Sequence, residues 1–437
     1  MCPLAEILHK EGYIVSGSDN NDGDTLDRIR SLGISVFMGQ NAKNIRGAEM
    51  IIYTAALLPD NPELVAAKQS GIPTFERSKL FGAITRMHSN CIGVSGTHGK
   101  TTVTSILSQI MITAGADPTC VIGGKLPLIG SNGRAGHSEL MICEACEFVD
   151  TFLDLSPDTV IITNIDEDHL DYFKTVENLT ASFRKFALLA SKRVIYNAGD
   201  EKTLKAVAGI TDKEMISFGL SPDCDYSARN ITSDHAVPSF DVYNKDALLG
   251  RLELSIPGSH NILNALAAVA AAHINGVRFS VISSASKDFR GAGRRFEILG
   301  KRNGVTIADD YAHHPKEIEV TLTAAKQMGF ARVWAVFQPF TFSRTAMLID
   351  EFAKALKIAD KVVMTEIMGS REINTYGVHT SQLAKKIDGS VWFATFADVA
   401  RHIAENAREG DLVITLGCGD IYKAAREILK KYDIAEV

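Results

Sequence analysis

The 437-residue chain is 46% apolar and 22% charged, the make-up of a globular protein with full-sized cores. Its net charge of −6 gives no electrostatic case for nucleic acid or an anionic membrane as partner, while leaving room for a local basic pocket. Seven cysteines spread from Cys2 to Cys418 read as a reducing, cytoplasmic setting rather than a disulfide framework.

Cys143 and Cys146 form a C-x-x-C, but no second pair stands at zinc-finger spacing. The N-terminus has no basic stretch followed by an apolar run, so no signal peptide is expected. Ile262–Ile274, the most apolar helical stretch, is too short and too polar to span a bilayer, and no membrane insertion is expected.

Strand and helix signals fall into three blocks. In the first, to about residue 88, Tyr13–Val15 reads as a strand running into a Ser16–Asp19 turn. Thr25–Leu32 reads as a helix closed by Gly33, and Met50–Thr54 as a further strand. The second block opens with a Cys91–Val94 strand. A helix follows with Val103, Ile106, Leu107, Ile110 and Met111 on one face, then apolar strands at Leu140–Cys143 and Thr159–Thr163. Short candidate strands at Ser239–Tyr243 and Arg251–Ile256 suggest an antiparallel insertion. The third block begins near Gly291–Arg295. Its strands are Val333–Phe337, Lys361–Thr365, Val391–Ala394 and Asp411–Leu416, with helices at Ile349–Ile358 and Ile421–Lys430. Strands alternating with helices predict parallel α/β sheets.

Between the second block's first strand and helix lies Gly93-Val-Ser-Gly-Thr-His-Gly-Lys-Thr101, read as a Walker A loop with Gly93 and Gly99 as its glycine ends. Glycines let backbone N–H groups approach phosphate oxygens, and the following helix turns its positive end toward the same anion. Lys100 supplies a charge for the β and γ phosphates, and the Thr101 hydroxyl can ligate Mg²⁺. ATP is therefore the expected cofactor. Glu144 and His169 follow the next two strands at their carboxyl ends, where ligands bind in an open parallel sheet. Each alone reads equally well as a solvated or capping side chain.

Ser95-Gly-Thr-His-Gly-Lys-Thr-Thr102 closely resembles the loop of the Mur ligases, the amide-forming enzymes of peptidoglycan precursor synthesis. The resemblance continues through Glu144-Ala-Cys-Glu-Phe-Val-Asp-Thr-Phe-Leu153, Asn164-Ile-Asp-Glu-Asp-His-Leu-Asp-Tyr-Phe173, Pro257-Gly-Ser-His-Asn-Ile-Leu-Asn264 and Gly293-Arg-Arg-Phe296. Asp309-Asp-Tyr-Ala-His-His-Pro315, Phe337-Gln-Pro339 with Ser343-Arg-Thr345, and Arg371-Glu-Ile-Asn374 complete it.

The resemblance implies an α/β, three-domain architecture: a truncated Rossmann-like UDP-sugar domain (1–88), a central P-loop ATPase domain (89–291) and a C-terminal Rossmann-like amino-acid domain (292–437). It implies ATP and Mg²⁺ as cofactors, with UDP-N-acetylmuramate and L-alanine as substrates joined through an acyl phosphate. Lys100, Glu144 and His169 would serve the chemical step, with Thr101, Glu144 and His169 as metal ligands. Gly96, Thr97, His98, Gly99, Lys100, Thr101 and Thr102 would cradle the phosphates. Asn261 and Asn264 would face adenine, Arg295 a phosphate and Asp310 the ribose. Tyr311, His313 and Arg344 would hold L-alanine.

Two departures stand out. Family members open with a strand and glycine loop that end in a Met before Leu-Ala-Glu, and here Met1-Cys-Pro-Leu-Ala-Glu6 begins at that Met. A start placed too far downstream is the preferred reading, since everything after Met1 continues the family pattern, and a real loss of the UDP-sugar site is the alternative. Phe340-Thr341 stands where the family often has His, which would remove one polar contact. The competing readings are a ligase that recycles ready-made peptides and a silent ATP-binding regulator. The Glu144–Leu153 segment resembles the alanine-adding enzymes more than the recycling ones.

Overall fold

The computed structural model describes residues 1–370 and 372–434. Helix α1 (Cys2–Lys10) opens the chain with Pro3 in its first turn, where a missing N–H costs nothing. Strand β1 (Ser16–Asp19) follows, then α2 (Asp24–Ser31) and β2 (Ser35–Met38). The expected Tyr13–Val15 strand is instead an exposed loop, Ile14 being fully exposed, and the expected turn residues form the strand. Parallel pairing of Ser16 with Ser35 through Asp19 with Met38 overrides the weak β propensity of Gly17 and Ser18.

Strand β3 (Ile51–Tyr53), α3 (Pro62–Gln69), β4 (Thr74–Glu76) and α4 (Arg77–Thr85) complete this part. Its strands form two separate parallel pairs, β1–β2 and β3–β4. Gly33 closes α2 with φ of +86°, the conformation for which glycine is suited.

Contacts divide the chain into two units. One holds Met1–Arg229, Asp241–Arg251 and Leu263–Ser286; the other holds Asn230–Phe240, Leu252–Ile262 and Lys287–Val437. The core of the first carries most of a ten-stranded sheet. Strand β5 (Asn90–Ser95) leads into α5 (Lys100–Thr113), then β6 (Thr119–Leu126), β7 (Ser131–Arg134), β8 (Leu140–Glu144) and β9 (Thr159–Ile162). After α6 (Leu170–Phe173) and α7 (Val176–Leu189) come β10 (Arg193–Asn197), α8 (Glu201–Val207), β11 (Glu214–Gly219), β12 (Tyr226–Asp234), β13 (Val237–Asn244) and β14 (Ala247–Glu253).

The strand order is β14-β13-β12-β11-β10-β9-β5-β8-β6-β7. Strand β5 lies between β8 and β9 in parallel with both, Val94 opposite Glu144 and Ser95 opposite Ile162. The chain leaves β5 toward one side of the sheet and resumes at β9 on the other. The carboxyl ends of these three strands are therefore the topological switch point where ligands bind in such sheets. Two-residue turns join β12 to β13 and β13 to β14, as in antiparallel hairpins, and His235 and Ala236 both have positive φ.

Helix α5 buries the predicted apolar face, but Thr104, Ser105, Ser108 and Gln109 are buried too. It is covered on more than one side: Gln109 Nε2 donates to the Ala285 carbonyl in α10 (Phe279–Asp288), 2.9 Å away. The alanine-rich α9 (His260–Ile274) has Ala265 to Ala272 fully buried. Among the described residues no helix is long and apolar enough to cross a membrane.

The second unit's sheet has the order β15-β16-β20-β17-β18-β19. It runs β15 (Glu297–Arg302), β16 (Val305–Asp310), α11 (Pro315–Gln327), β17 (Val333–Phe337), α12 (Phe342–Met347), α13 (Ile349–Leu356) and β18 (Lys361–Thr365). Then come α14 (Thr380–Ala384), β19 (Val391–Phe393), α15 (Phe396–Asn406), β20 (Leu412–Leu416) and α16 (Tyr422–Ile434). Only β15 is antiparallel to its neighbour. One core cluster unites β17 with Ile318 and Leu322 of α11 and Phe352 and Leu356 of α13. The other sets Val399 and Ile403 of α15 and Ala424 and Ile428 of α16 against the opposite face. Helices on both faces place a second switch point at the ends of β16 and β20.

Candidate functional site

The loop after β5 is shaped by its glycines and pinned by the chain after β9. Gly96 has φ of +139°, and a Cβ there would sit 1.9 Å from the Thr163 hydroxyl. Gly99, at φ of +85°, precedes α5, and a Cβ on it would meet the Asn264 side-chain oxygen at 2.3 Å. Only glycine fits either position. Gly93 belongs to the strand instead, packed under the Phe186 ring. Five residues separate it from Gly99, one more than the Walker A spacing, so the loop runs from Gly96 and the expected role of Gly93 is corrected.

His98 N donates to the Asn164 side chain at 2.9 Å, and Thr163 Oγ1 and Asn164 Nδ2 donate back to the His98 carbonyl at 2.7 and 3.0 Å. Thr97 N donates to Asn164 O at 2.9 Å, and Asp166 N to Thr97 Oγ1 at 2.8 Å. His98 Nε2 lies 3.6 Å from the Asp166 carboxylate. Sequence reasoning gave Thr163, Asn164 and Asp166 no role of their own, although Asn164 and Asp166 lay in a quoted motif.

Lys100 begins α5. Its ammonium donates to Gly96 O at 2.5 Å, Thr97 O at 3.0 Å and Glu147 at 3.0 Å. Burial opposes the charge, but Glu147, Cys146 and Glu144 outweigh it and hold the ammonium above the usual lysine range. Thr101 and Glu144 are brought together: the Thr101 hydroxyl donates to Glu144 Oε2 at 2.8 Å, and Gly123 N donates to the same oxygen at 2.9 Å. A Cβ on Gly123 would lie 2.4 Å from that oxygen and 2.7 Å from Thr101 Oγ1. A Gly-Gly pair inside a strand was the available sign of this close approach.

His169 is the N-cap residue just before α6, with φ of +55°. Its ring packs at 4.7 Å on Phe148, and Nε2 lies 3.7 Å from Asp168. Cys143 is buried with its sulfur 4.0 Å from that of Cys91, while Cys146 is exposed. Among the described residues no three His, Cys, Asp or Glu side chains converge on a metal position. A hydroxyl and a carboxylate oxygen suit Mg²⁺, a hard cation that keeps waters and substrate phosphates in its shell.

In the second unit, burial pushes the Asp310 carboxyl up to about 6, against the pull of Arg295 and of the Ala312 and Phe296 N–H groups. Those two N–H groups each donate to it at 2.7 Å. The Arg295 guanidinium lies 4.9 Å from the Tyr311 ring, and the Tyr311 and His313 rings meet edge to face at 5.5 Å. His313 Nδ1 is 3.2 Å from Glu317. Arg344 sits on α12, capped by Thr341. It lies within electrostatic reach of Cys418, whose thiol burial pushes up to about 12. Phe340 is half-buried. Arg371 lies outside the described residues.

The sequence singled out Arg295, yet its neighbour Arg294 organises this end of the sheet. Arg294 Nε bonds the buried Asp309 at 2.9 Å, and its other nitrogens donate to the Gly419 and Gly417 carbonyls. Asn261 is buried in the second unit, its amide donating to Pro257 O at 2.7 Å.

A strand, a glycine loop and a helix presenting lysine and threonine, with a carboxylate beside them, define an α/β nucleotide-binding enzyme of the phosphate-loop class. Family models sharpen the assignment. Residues 1–89 match the Mur ligase family catalytic domain, 94–272 the Mur ligase middle domain and 294–419 the Mur ligase glutamate ligase domain. The chain belongs to the Mur ligase family and has its three α/β domains. It is 40% identical to the UDP-N-acetylmuramate--L-alanine ligase of Acetivibrio thermocellus, over 100% of this chain and 95% of the relative. It is 42% identical to the enzyme of that name from Caldicellulosiruptor saccharolyticus, over 99% and 96%. Among solved structures it resembles UDP-N-acetylmuramate-alanine ligase MurC from Thermotoga maritima, with TM-score 0.84 and 27% identity over 99% and 96%. The murein peptide ligase of Psychrobacter arcticus shares the fold, with TM-score 0.76 and 23% identity over 98% and 96%.

Proposed function

We propose that this chain joins L-alanine to the carboxylate of UDP-N-acetylmuramate, using ATP, in peptidoglycan precursor synthesis. The observation that carries the reading is the likeness of 40–42% to the alanine-adding ligases across essentially the whole chain. The chemistry fits the site. A carboxylate is a poor electrophile until one oxygen becomes a phosphate leaving group, and its acyl phosphate then yields to the alanine amine.

In this reading Gly96 to Thr102 hold the phosphates, with Lys100 placing its charge on the γ-phosphoryl as it transfers. Thr101 and Glu144, with His169, hold Mg²⁺, which when bound draws charge off the phosphates. Asn261 and Asn264 address adenine, Arg295 and Asp310 the phosphate and ribose. Tyr311 and His313 shape the alanine site, where the planar fork of Arg344 suits a carboxylate. Domain limits at 1–88, 89–291 and 292–437 and a cytoplasmic location belong to the same proposal.

Phosphate release is the test. It is expected only when UDP-N-acetylmuramate, L-alanine, ATP and Mg²⁺ are all present. Release with a muropeptide but not with L-alanine would transfer the chain to the recycling reaction, and no release with either would sink the ligase reading.

A further inference from the structure

Glu147 has been given no role so far, yet its carboxylate is 1% exposed and faces the phosphate loop. Both its oxygens lie 3.0 Å from the Lys100 ammonium; Oε1 accepts the hydrogen bond, and Oε2 accepts none from any described residue. An ammonium has three protons. Here all three are taken, by Gly96 O, Thr97 O and Glu147. A phosphate oxygen can reach Lys100 only by displacing one of them, and Glu147 is the one that carries charge.

The Glu147 backbone is held firmly. Val149 and Asp150, two consecutive non-glycine residues, have φ of +55° and +58°, a conformation that costs energy for a β-branched side chain. Asp150 N donates to Glu147 O at 2.9 Å, Phe152 N to Cys146 O at 3.0 Å, and the Asp150 carboxylate takes bonds from Tyr172 and Ser182. This turn does not let Glu147 follow the lysine. Once Lys100 moves to a phosphate, a buried carboxylate is left uncompensated, with Glu144 nearby on the same segment, and that is costly unless another cation arrives.

We propose that Glu147 is a positioning residue, the resident counter-ion of Lys100, which makes nucleotide binding depend on a divalent cation. The inference rests on Lys100 being the phosphate-loop lysine. Before nucleotide arrives, Glu147 keeps the ammonium folded onto the loop carbonyls. Nucleotide without metal must break that pair against two carboxylates, whereas nucleotide with Mg²⁺ brings the replacement positive charge.

The test is calorimetric titration of ADP and a non-hydrolysable ATP analogue into the full chain, in EDTA and in Mg²⁺. Glu147→Gln keeps the shape and removes the charge. The metal-free affinity of this variant should rise at least about tenfold over wild type: one charge several ångströms from a phosphate at an effective dielectric of about 20 is worth about a hundredfold, and solvent screening in the open loop lowers that. Its affinity in Mg²⁺ should change far less, so the metal dependence shrinks. A purely structural role would lower the melting temperature and leave the ratio of the two affinities unchanged, and that result overturns the proposal. Should the Gln variant not fold, Glu147→Asp draws the charge back by one methylene. It should raise metal-free affinity about threefold, and no rise would count equally against the idea. Wild type that binds nucleotide under neither condition would instead overturn the phosphate-loop reading itself.

Discussion

Each unit's central sheet ends in a polar cluster at the carboxyl ends of its strands, but the two clusters hold charge by different means. After β5 the work is done by backbone: two glycines shape the loop, Thr163 and Asn164 tie down its carbonyls and amides, and Lys100 brings positive charge to it. After β16 and β20 side chains do it. Arg294 and Arg295 stack over Tyr311 while Asp309, Asp310 and Glu317 supply the opposite sign. A backbone cradle suits a constant ligand such as a polyphosphate. A side-chain cluster can be re-shaped by substitution, which suits the variable part of a ligase, its amino acid.

The largest effect expected from breaking the first cluster comes from Lys100→Ala. Substrate-dependent phosphate release should fall by roughly a thousandfold or more, because the loop from Gly96 to Thr102 holds no second lysine or arginine to take over the transferring charge. The fold should persist at a cost in stability of about 3–5 kcal/mol, since Glu147 is left buried without its counter-ion, and circular dichroism of the variant checks that the chain is folded. In the second cluster the equivalent break is structural. Arg294→Met leaves Asp309, whose side chain is 1% exposed, without its counter-ion and with the Thr415 hydroxyl still bonded to it, and unbonds two carbonyls beyond β20. Denaturant unfolding should show a loss of about 3–5 kcal/mol.

Asp310 separates the two clusters by pH. Burial raises its carboxyl from 3.8 to about 6 in the folded chain. The folded state therefore binds the proton more tightly than the unfolded state. Its stabilising contribution is full below about pH 3.8 and is lost as pH rises through about 6. At 1.36 kcal/mol per unit this amounts to roughly 3 kcal/mol. Wild type should lose stability relative to Asp310→Asn between pH 4 and 7, as compared by urea unfolding at each pH. A constant difference across that range would place the carboxyl outside the raised class.

The first cluster was far more legible in the sequence than the second. Glycine, lysine and threonine between an apolar strand and a helix have few other uses, so the loop showed through local pattern alone. What escaped was long-range. Glu147 reaches Lys100 from 47 residues away, and Asn164 reaches His98 from 66. Nothing within the loop announces those partners. In the second cluster the choice of Arg295 over Arg294 turned on which way adjacent side chains point, and that is set by the positive φ of Arg294. The Ser16–Asp19 strand was missed for a related reason, since its pairing with β2 is a tertiary fact that Gly-Ser propensity hides.

Gly123 offers the finest probe of the backbone-built cluster. It lies in β6, 21 residues from Glu144, and its N–H holds the carboxylate oxygen that Thr101 also bonds. Gly123→Ala would put a methyl group 2.4 Å from that oxygen and 2.7 Å from the hydroxyl. Neither atom can stay: the Thr101 hydroxyl sits on a short, buried side chain, and Glu144 Oε2 is held by that hydroxyl and by the Gly123 N–H. Both should shift by about an ångström, and a displacement of that size costs about a hundredfold in turnover. Stability should fall by about 1–3 kcal/mol, the usual cost of forcing a methyl group against a buried neighbour, here Thr101. Wild-type turnover in Gly123→Ala would mean that the Thr101–Glu144 pair tolerates displacement, and the proposed oxygen pair for Mg²⁺ would then have to be sought elsewhere.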